Sequence, residues 1–395
     1  MKILFASDTS FSYIPALPNK EAAKKAFAKT ARYFKAADYS VINLENILGE
    51  KEKYTPIPKS GPNLISDEGF IEYLNVLRPT AVGLANNHTR DYGDGAMFNT
   101  VNILKENGYL PFGAGENVKE AYSPVIFEKD GTRVAIFAVC ENEFGVATDT
   151  EAGTAGYSLG RVMAAISGAR SEGLLPIIYF HGGNETNPYP SPGKVELYRA
   201  FVDMGASAVV AMHTHCPQGY EIYNGAPIVY SMGNFFFPKP GHMNALFASW
   251  LYGYMTELDI TEERVKLEII PYKFSEDEHT ALAGEELDGF LKYLEYIKSP
   301  IGDAGRLSAL FNSWCVIAAI GYEGKDAYMS IFDKFTKNKI APEKLKEMCP
   351  IKNLLSCEAH AELMRASFNL IYSGGLEKAI AGVPEILALR EMKLP

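Results

Sequence analysis

The chain has 395 residues and a formal net charge of −10. That length suits two domains, or one large domain with an appendage. The acidic balance argues against nucleic acid or anionic membrane as a main partner, because polyanion binding needs clustered Lys and Arg. A compact anionic or peptide-like substrate stays open. No run approaches the ~18 apolar residues that span a bilayer. The five cysteines (Cys140, Cys216, Cys315, Cys349 and Cys357) form no CxxC pair, which fits isolated thiols in a reducing compartment. The chain opens Met1-Lys-Ile-Leu-Phe-Ala-Ser7-Asp8. There is no room there for a signal peptide's apolar core, so the expected localisation is cytoplasmic.

Residues 3–6 form a short apolar run that ends in Ser7-Asp8. Residues 19–36 read as one amphipathic helix with Asn19 as its N-cap. The second run, 41–44, terminates in Glu45, and the Pro-, Lys- and Gly-rich stretch 50–64 reads as a loop. Asp67 caps a helix through Leu77. The third run, 80–85, ends in Asn86-Asn87-His88, and 95–107 is helical in pattern. Asp130-Gly131 and Asn224-Gly225 mark hairpins. Helices are expected at 158–172 and 194–204, and a fourth run, 174–180, ends in His181-Gly182-Gly183. The fifth, 208–212, ends in His213-Thr214-His215-Cys216-Pro217, where proline forbids further pairing. Residues 247–273 alternate as two more strands. From 276 onward the pattern turns helical, at 287–297, 307–320, 357–371 and 384–392, with no convincing strand. The expected organisation is an α/β domain over 1–275 with mixed sheets and a helical extension over 276–395, whose apolar faces could cap the site, dock a partner or build an oligomer.

Five apolar runs thus end in Asp8, Glu45, Asn87-His88, His181 and His213/His215. In open α/β sheets ligands bind at the carboxyl ends of strands. Donors from neighbouring strands would therefore meet along one rim. Carboxylate, amide oxygen and neutral imidazole suit a divalent cation such as Zn, Mn or Fe. A thiolate site is not expected, since only Cys216 lies nearby, and it reads as a buried apolar thiol. Phe235-Phe236-Phe237 reads as core, Gly113-Ala114-Gly115 as a tight turn, and His242, His279 and His360 as surface residues.

Six motifs now resemble a known family in order and approximate spacing. They are Asn43-Leu44-Glu45-Asn46; Asn86-Asn87-His88-Thr89 with Asp91-Tyr92-Gly93; Gly113-Ala114-Gly115-Glu116-Asn117; His181-Gly182-Gly183-Asn184-Glu185; His213-Thr214-His215; and Tyr230-Ser231-Met232-Gly233-Asn234-Phe235. Over residues 1–240 the set resembles the capsule-synthesis CapA family of poly-γ-glutamate biosynthesis proteins, which is similar in fold to calcineurin-type metallophosphoesterases. The resemblance implies a four-layer αββα sandwich and a site for one or two divalent ions. Asp8 and His215 would serve the first metal, Glu45 would bridge, and Asn87, His181 and His213 would serve the second. His88 would be the general acid, oriented by Asp91. Glu185 is a candidate base or substrate contact, or a loop carboxylate bracing a metal-bound histidine.

The chain departs from the pattern at three positions. Ser10 stands where phosphoesterases carry histidine, which predicts a weak first metal site. Gly182 stands where Trp is common and predicts a wider pocket floor, and Ser7 replaces a glycine beside Asp8. The chemistry expected is metal-dependent hydrolysis of a phosphoester or a γ-glutamyl or peptide bond. The alternatives are a non-catalytic accessory protein of polymer assembly and a metal-independent acid/base enzyme such as a peptide epimerase.

Overall fold

The structure, a computed structural model, describes residues 1–239, 247–319 and 345–395. His242 and the last residue of the helix expected at 307–320 lie outside the described residues. Two mixed sheets stack face to face. The first is built from β1 (Lys2–Thr9), β2 (Tyr39–Leu44), β3 (Ala81–Gly83) and β4 (Leu110–Phe112), all parallel. The second holds β5 (Val125–Lys129), β6 (Thr132–Cys140), β7 (Leu175–His181), β8 (Ala208–Met212), β9 (Tyr220–Tyr223) and β10 (Ala226–Val229). Its order is β9-β10-β8-β7-β6-β5, parallel from β10 to β6 with an antiparallel strand on each edge. The chain then returns to the first sheet. There β11 (Asn234–Phe236) runs parallel to the end of β1, and β12 (Tyr252–Ile260), β13 (Val265–Phe274) and β14 (His279–Ala281) extend it antiparallel.

Side chains on β1 alternate, as a strand with both faces covered requires. Ile3 and Phe5 enter the cluster between the sheets, whereas Leu4 and Ala6 join the cluster under the outer helices. Tyr179 from β7 is the central piece between the sheets: its ring lies 5.8 Å from Phe5 and 6.4 Å from Phe112, and its hydroxyl donates to the Ala6 carbonyl at 2.5 Å. A Cβ at Gly83 would meet that ring at 2.9 Å, so the strand needs glycine there. Helices α1 (Lys20–Phe27), α2 (Ala31–Ala36), α3 (Ile71–Leu77) and α4 (Gly93–Glu106) cover the first sheet. Helices α5 (Leu159–Ser171) and α6 (Pro192–Asp203) cover the second. Four layers, αββα, result. Beyond them come α7 (Gly284–Lys298), α8 (Ala304–Ala319), α9 (Leu345–Ser356), α10 (Glu358–Ser373), α11 (Leu376–Ala381) and α12 (Val383–Arg390). Leu363, Leu370, Ile386 and Leu389 from these helices share one apolar cluster with the second sheet.

Three expectations need correcting. The helix expected over 19–36 breaks into α1 and α2, because the Thr30 hydroxyl at the break is bonded to His279, 2.9 Å from its carbonyl oxygen and 2.8 Å from Nδ1. The stretch after 276 does contain a strand, β14, which pairs Phe274 with His279. His279, expected at the surface, is fully buried against Phe235 (4.4 Å between centroids) and Tyr272 (4.3 Å). Burial pushes its pKa down to about 3, so it sits in the aromatic core as a neutral ring.

Candidate metal centre

Both sets of parallel strands point their carboxyl ends toward the same rim, and the expected donors meet there. Asp8 ends β1, Glu45 follows β2, His181 ends β7, and His213 and His215 follow β8. His181 Nε2 lies 3.5 Å from both Asp8 Oδ1 and Glu45 Oε1, and His215 Nε2 lies 3.7 Å from Glu45 Oε1. Two triads share one carboxylate. Ligand atoms of Asp8, Glu45 and His215 fall within 4.8 Å of one another, as do those of Glu45, His181 and His213.

Neighbouring polar groups aim these donors. Asp8 accepts from the Asn43 amide at 2.8 Å and from the His213 backbone N–H at 2.9 Å. Asn86 in turn donates to Asn43 Oδ1 and to the Leu44 carbonyl, tying β3 to β2. The Asn234 amide donates to the carbonyls of His215 and Trp250, so its oxygen faces His215 Nδ1 at 2.8 Å. That contact places the ring proton on Nδ1 and leaves the Nε2 lone pair toward Glu45, the arrangement a metal-ligating imidazole needs. His213 and His215 both have positive φ, 98° and 54°. Such conformations cost about 1–3 kcal/mol each and gather at functional sites.

Electrostatically the cage is poised for a cation. Burial raises the Asp8 carboxyl to about 7, with the Glu45 charge adding to the effect, and burial raises Glu45 to about 8. Burial lowers all three imidazoles, His213 to about 4, which keeps them neutral and able to donate lone pairs. Five buried atoms here have no partner among the described residues: both oxygens of Glu45, Asn87 Oδ1, His181 Nε2 and His213 Nδ1. Buried acceptors left unpaired are rare and costly. Oxygen and neutral nitrogen donors converging in this number fit a divalent cation of the zinc or manganese type.

His88 stands beside the cage. Its Nδ1 lies 2.6 Å from Asp91 Oδ2, and Asp91 also accepts from the Leu64 N–H and from Lys59 Nζ, each at 2.6 Å. Lys59 further donates to the Asn87 carbonyl at 2.9 Å. This lysine lies in the stretch read from sequence as a plain loop, yet it is buried. No local signal marks it, since only the fold carries the loop under His88.

Two acids were also missed, although a signal existed. Strand β6 ends in Cys140-Glu141-Asn142-Glu143, the same strand-end pattern as the other five runs. Glu143 Oε1 lies 3.8 Å from His213 Nε2. Glu141 is buried and ion-paired with Lys194, and burial, which raises its pKa, is outweighed by Lys194 and its other partners, so it stays below the usual range. Glu141 also accepts from the N–H groups of Gly183 and Ala359, both at 3.1 Å. The N-terminal turn of α10 is thereby clamped to the site: Glu358 accepts from Asn142, and Glu362 accepts from Ser191 and Gly193. Replacing Lys194 by alanine strands the Glu141 charge and should cost about 3–5 kcal/mol. A thermal melt that shifts by less than a degree would contradict that role.

The helical tail therefore closes one side of the centre. A cavity of about 350 Å³ lies between them, lined by Asn87, His88 and Glu185 from the body and by Trp314, Asn353 and His360 from the tail. Glu185 is exposed at its rim, and His360, expected at the surface, is partly buried in its wall. Gly182 does not widen the floor, because a Cβ there would meet the Glu141 side chain at 2.6 Å. Ser10 is buried, with its hydroxyl 3.3 Å from that of Ser12. All five cysteines are buried, and none of them forms a disulfide. No described helix is long and apolar enough to cross a membrane.

An αββα sandwich with acids and imidazoles at the carboxyl ends of its parallel strands has the metallophosphoesterase-like architecture. Residues 5–239 match the sequence model of the family described as "Bacterial capsule synthesis protein PGA_cap", and the chain belongs to that family. It is 29% identical over 235 residues to the capsule biosynthesis protein CapA of Bacillus anthracis, covering 58% of this chain and 57% of that one. It is 27% identical over 239 residues to the PGA biosynthesis protein CapA of Bacillus subtilis (strain 168), covering 58% and 60%. A probable polyglutamine synthesis accessory protein of Mycobacterium tuberculosis is 27% identical over 212 residues, covering 50% and 55%. The matched region thus spans under two thirds of the length of these curated relatives. The crystal structure of TT1561 of Thermus thermophilus aligns with a TM-score of 0.35 and 15% identity, over 68% of this chain and 97% of that one.

Proposed function

We propose that the protein is a metal-dependent hydrolase of the CapA type, cleaving a phosphoester or a γ-glutamyl or peptide bond. The observation that carries this reading is the pair of buried donor triads sharing Glu45, with donor atoms that no described protein group satisfies. Asp8, Glu45 and His215 would hold one ion, and Glu45, His181, His213 and Asn87 a second. A divalent ion supplies Lewis acidity and a water pKa lowered to near ~7.

The remaining work belongs to the chain. Asp91, fixed by Lys59 and Leu64, holds His88 by its Nδ1–H and leaves Nε2 to deliver a proton to the departing atom. Asn234 and Asn43 hold the tautomer of His215 and the angle of Asp8. The tail helices limit the access of water from one side. The test is metal analysis of the purified protein with turnover of a bis-aryl phosphodiester and of a γ-glutamyl anilide, before and after chelation. The reading expects at least one ion per chain and turnover lost on chelation and restored by Mn or Zn. A protein that takes up no divalent ion refutes it.

A second reading, binding without cleavage, draws support from Ser10, whose hydroxyl is a poor metal ligand where imidazole would be a good one. Turnover of either substrate that disappears in Asp8→Ala would eliminate it.

A further inference from the structure

The cavity beside the cage has a one-sided chemistry. Glu143 and Glu185 line it as carboxylates, together with the amides of Asn184 and Asn353. Both amides are more than nine-tenths buried. Asn184 spends its N–H on the Ala359 carbonyl at 3.4 Å, and Asn353 spends its own on Glu143 Oε2 at 3.2 Å. That assignment leaves each side-chain oxygen without a partner, as it leaves His360 Nδ1. A buried unpaired acceptor is costly and is retained where a ligand satisfies it.

Donors are scarce by comparison. Lys59 is the one permanent cation among the described lining residues, and it is committed to Asp91, the Asn87 carbonyl and His88 Nδ1. The Trp314 indole N–H is buried and has no partner among the described residues. A cavity of about 350 Å³ is at the small end of ligand sites. His88 opens onto it, so whatever sits there leaves with the His88 proton.

We infer that this cavity takes the leaving portion of the substrate and that this portion carries an ammonium group, held by Glu143, Glu185 and the free oxygens of Asn184 and Asn353. The inference rests on the hydrolase reading for the word "leaving" and on the cavity chemistry for the ammonium. An anionic leaving group, such as a further phosphate or a carboxylate, faces two carboxylates here and is disfavoured.

Two matched ligand pairs test this on the metal-loaded full-length protein by calorimetry. O-phosphoethanolamine is compared with ethyl phosphate, and γ-glutamyl-(2-aminoethyl)amide with γ-glutamyl-ethylamide. Each pair differs by one terminal ammonium on the leaving side. A charge-assisted bond of ordinary strength gives the ammonium member about tenfold tighter binding or more in at least one pair. Glu185→Gln, at an exposed position, should reduce that preference to about threefold or less, and Asn353→Leu should act in the same direction. Equal affinity within both pairs, preference for the uncharged member, or a preference untouched by Glu185→Gln overturns the inference. Turnover is read separately. Cleavage without ammonium preference sinks this inference alone, whereas ammonium preference without cleavage of any ligand sinks the hydrolase reading alone.

Discussion

Metal-free Glu45→Gln should melt higher than the metal-free parent at pH 8, while losing the stabilisation that a divalent ion confers on the parent. Glu45 is fully buried, neither oxygen has a partner among the described residues, and burial lifts its pKa from 4.5 to about 8. Between those two values the folded protein keeps a proton that the unfolded chain has released. Stability of the metal-free protein therefore falls as pH rises through that window, and below pH ~4.5 this cost is absent. Above pH ~8 the cost is fully present, on the order of 5 kcal/mol by linkage. Glutamine never carries the charge and so removes the cost. The expected gain is roughly 3–6 °C at pH 8 and close to nothing at pH 5. Scanning calorimetry at both pH values, with chelator and with Mn or Zn, checks the sign. Should the metal-free variant melt lower at pH 8, Glu45 is not the strained member of the cage.

His88→Asn should cut kcat by about 10²–10⁴, the usual contribution of a positioned acid. The loss should depend on the leaving group. An ester of an aliphatic alcohol needs its proton and suffers the whole loss, whereas a nitrophenyl ester departs as a stable anion and suffers little. Bound metal should stay unchanged, because His88 is held by Asp91 and Lys59 rather than by the cage. Asp91→Asn should give a smaller loss with the same leaving-group pattern, since it frees the ring without removing it. A uniform loss across leaving groups, or a fall in metal content, would return His88 to a bracing role.

Much of the scaffold was legible because strand signals are local. The runs ending at Asp8, Glu45, His181 and His213 correspond to β1, β2, β7 and β8, and both Asx-Gly pairs form tight turns with positive φ at each residue. Phe235 and Phe236 are core, as their aromatic run suggested, and Cys216 is a buried thiol. The errors came where a distant partner overrides a local pattern. Thr30 breaks a helix for the sake of His279, which lies 249 residues away. Lys59 and His360 carry no periodic mark at all, and only the fold brings them to the same cavity wall.

The order of side chains along the chain determined which donor types end the apolar strands, because burial period and residue chemistry are read within a few neighbours. It also determined family membership, which rests on ordered motifs over residues 5–239. What the tertiary structure decided is how those donors share space: two triads meeting on Glu45, and a helical tail that closes over them through Glu141, Glu358 and Glu362. The physical reason is that a cage and its lid are made of contacts between residues tens to hundreds of positions apart. Their geometry follows from strand register and sheet stacking, which no local window contains.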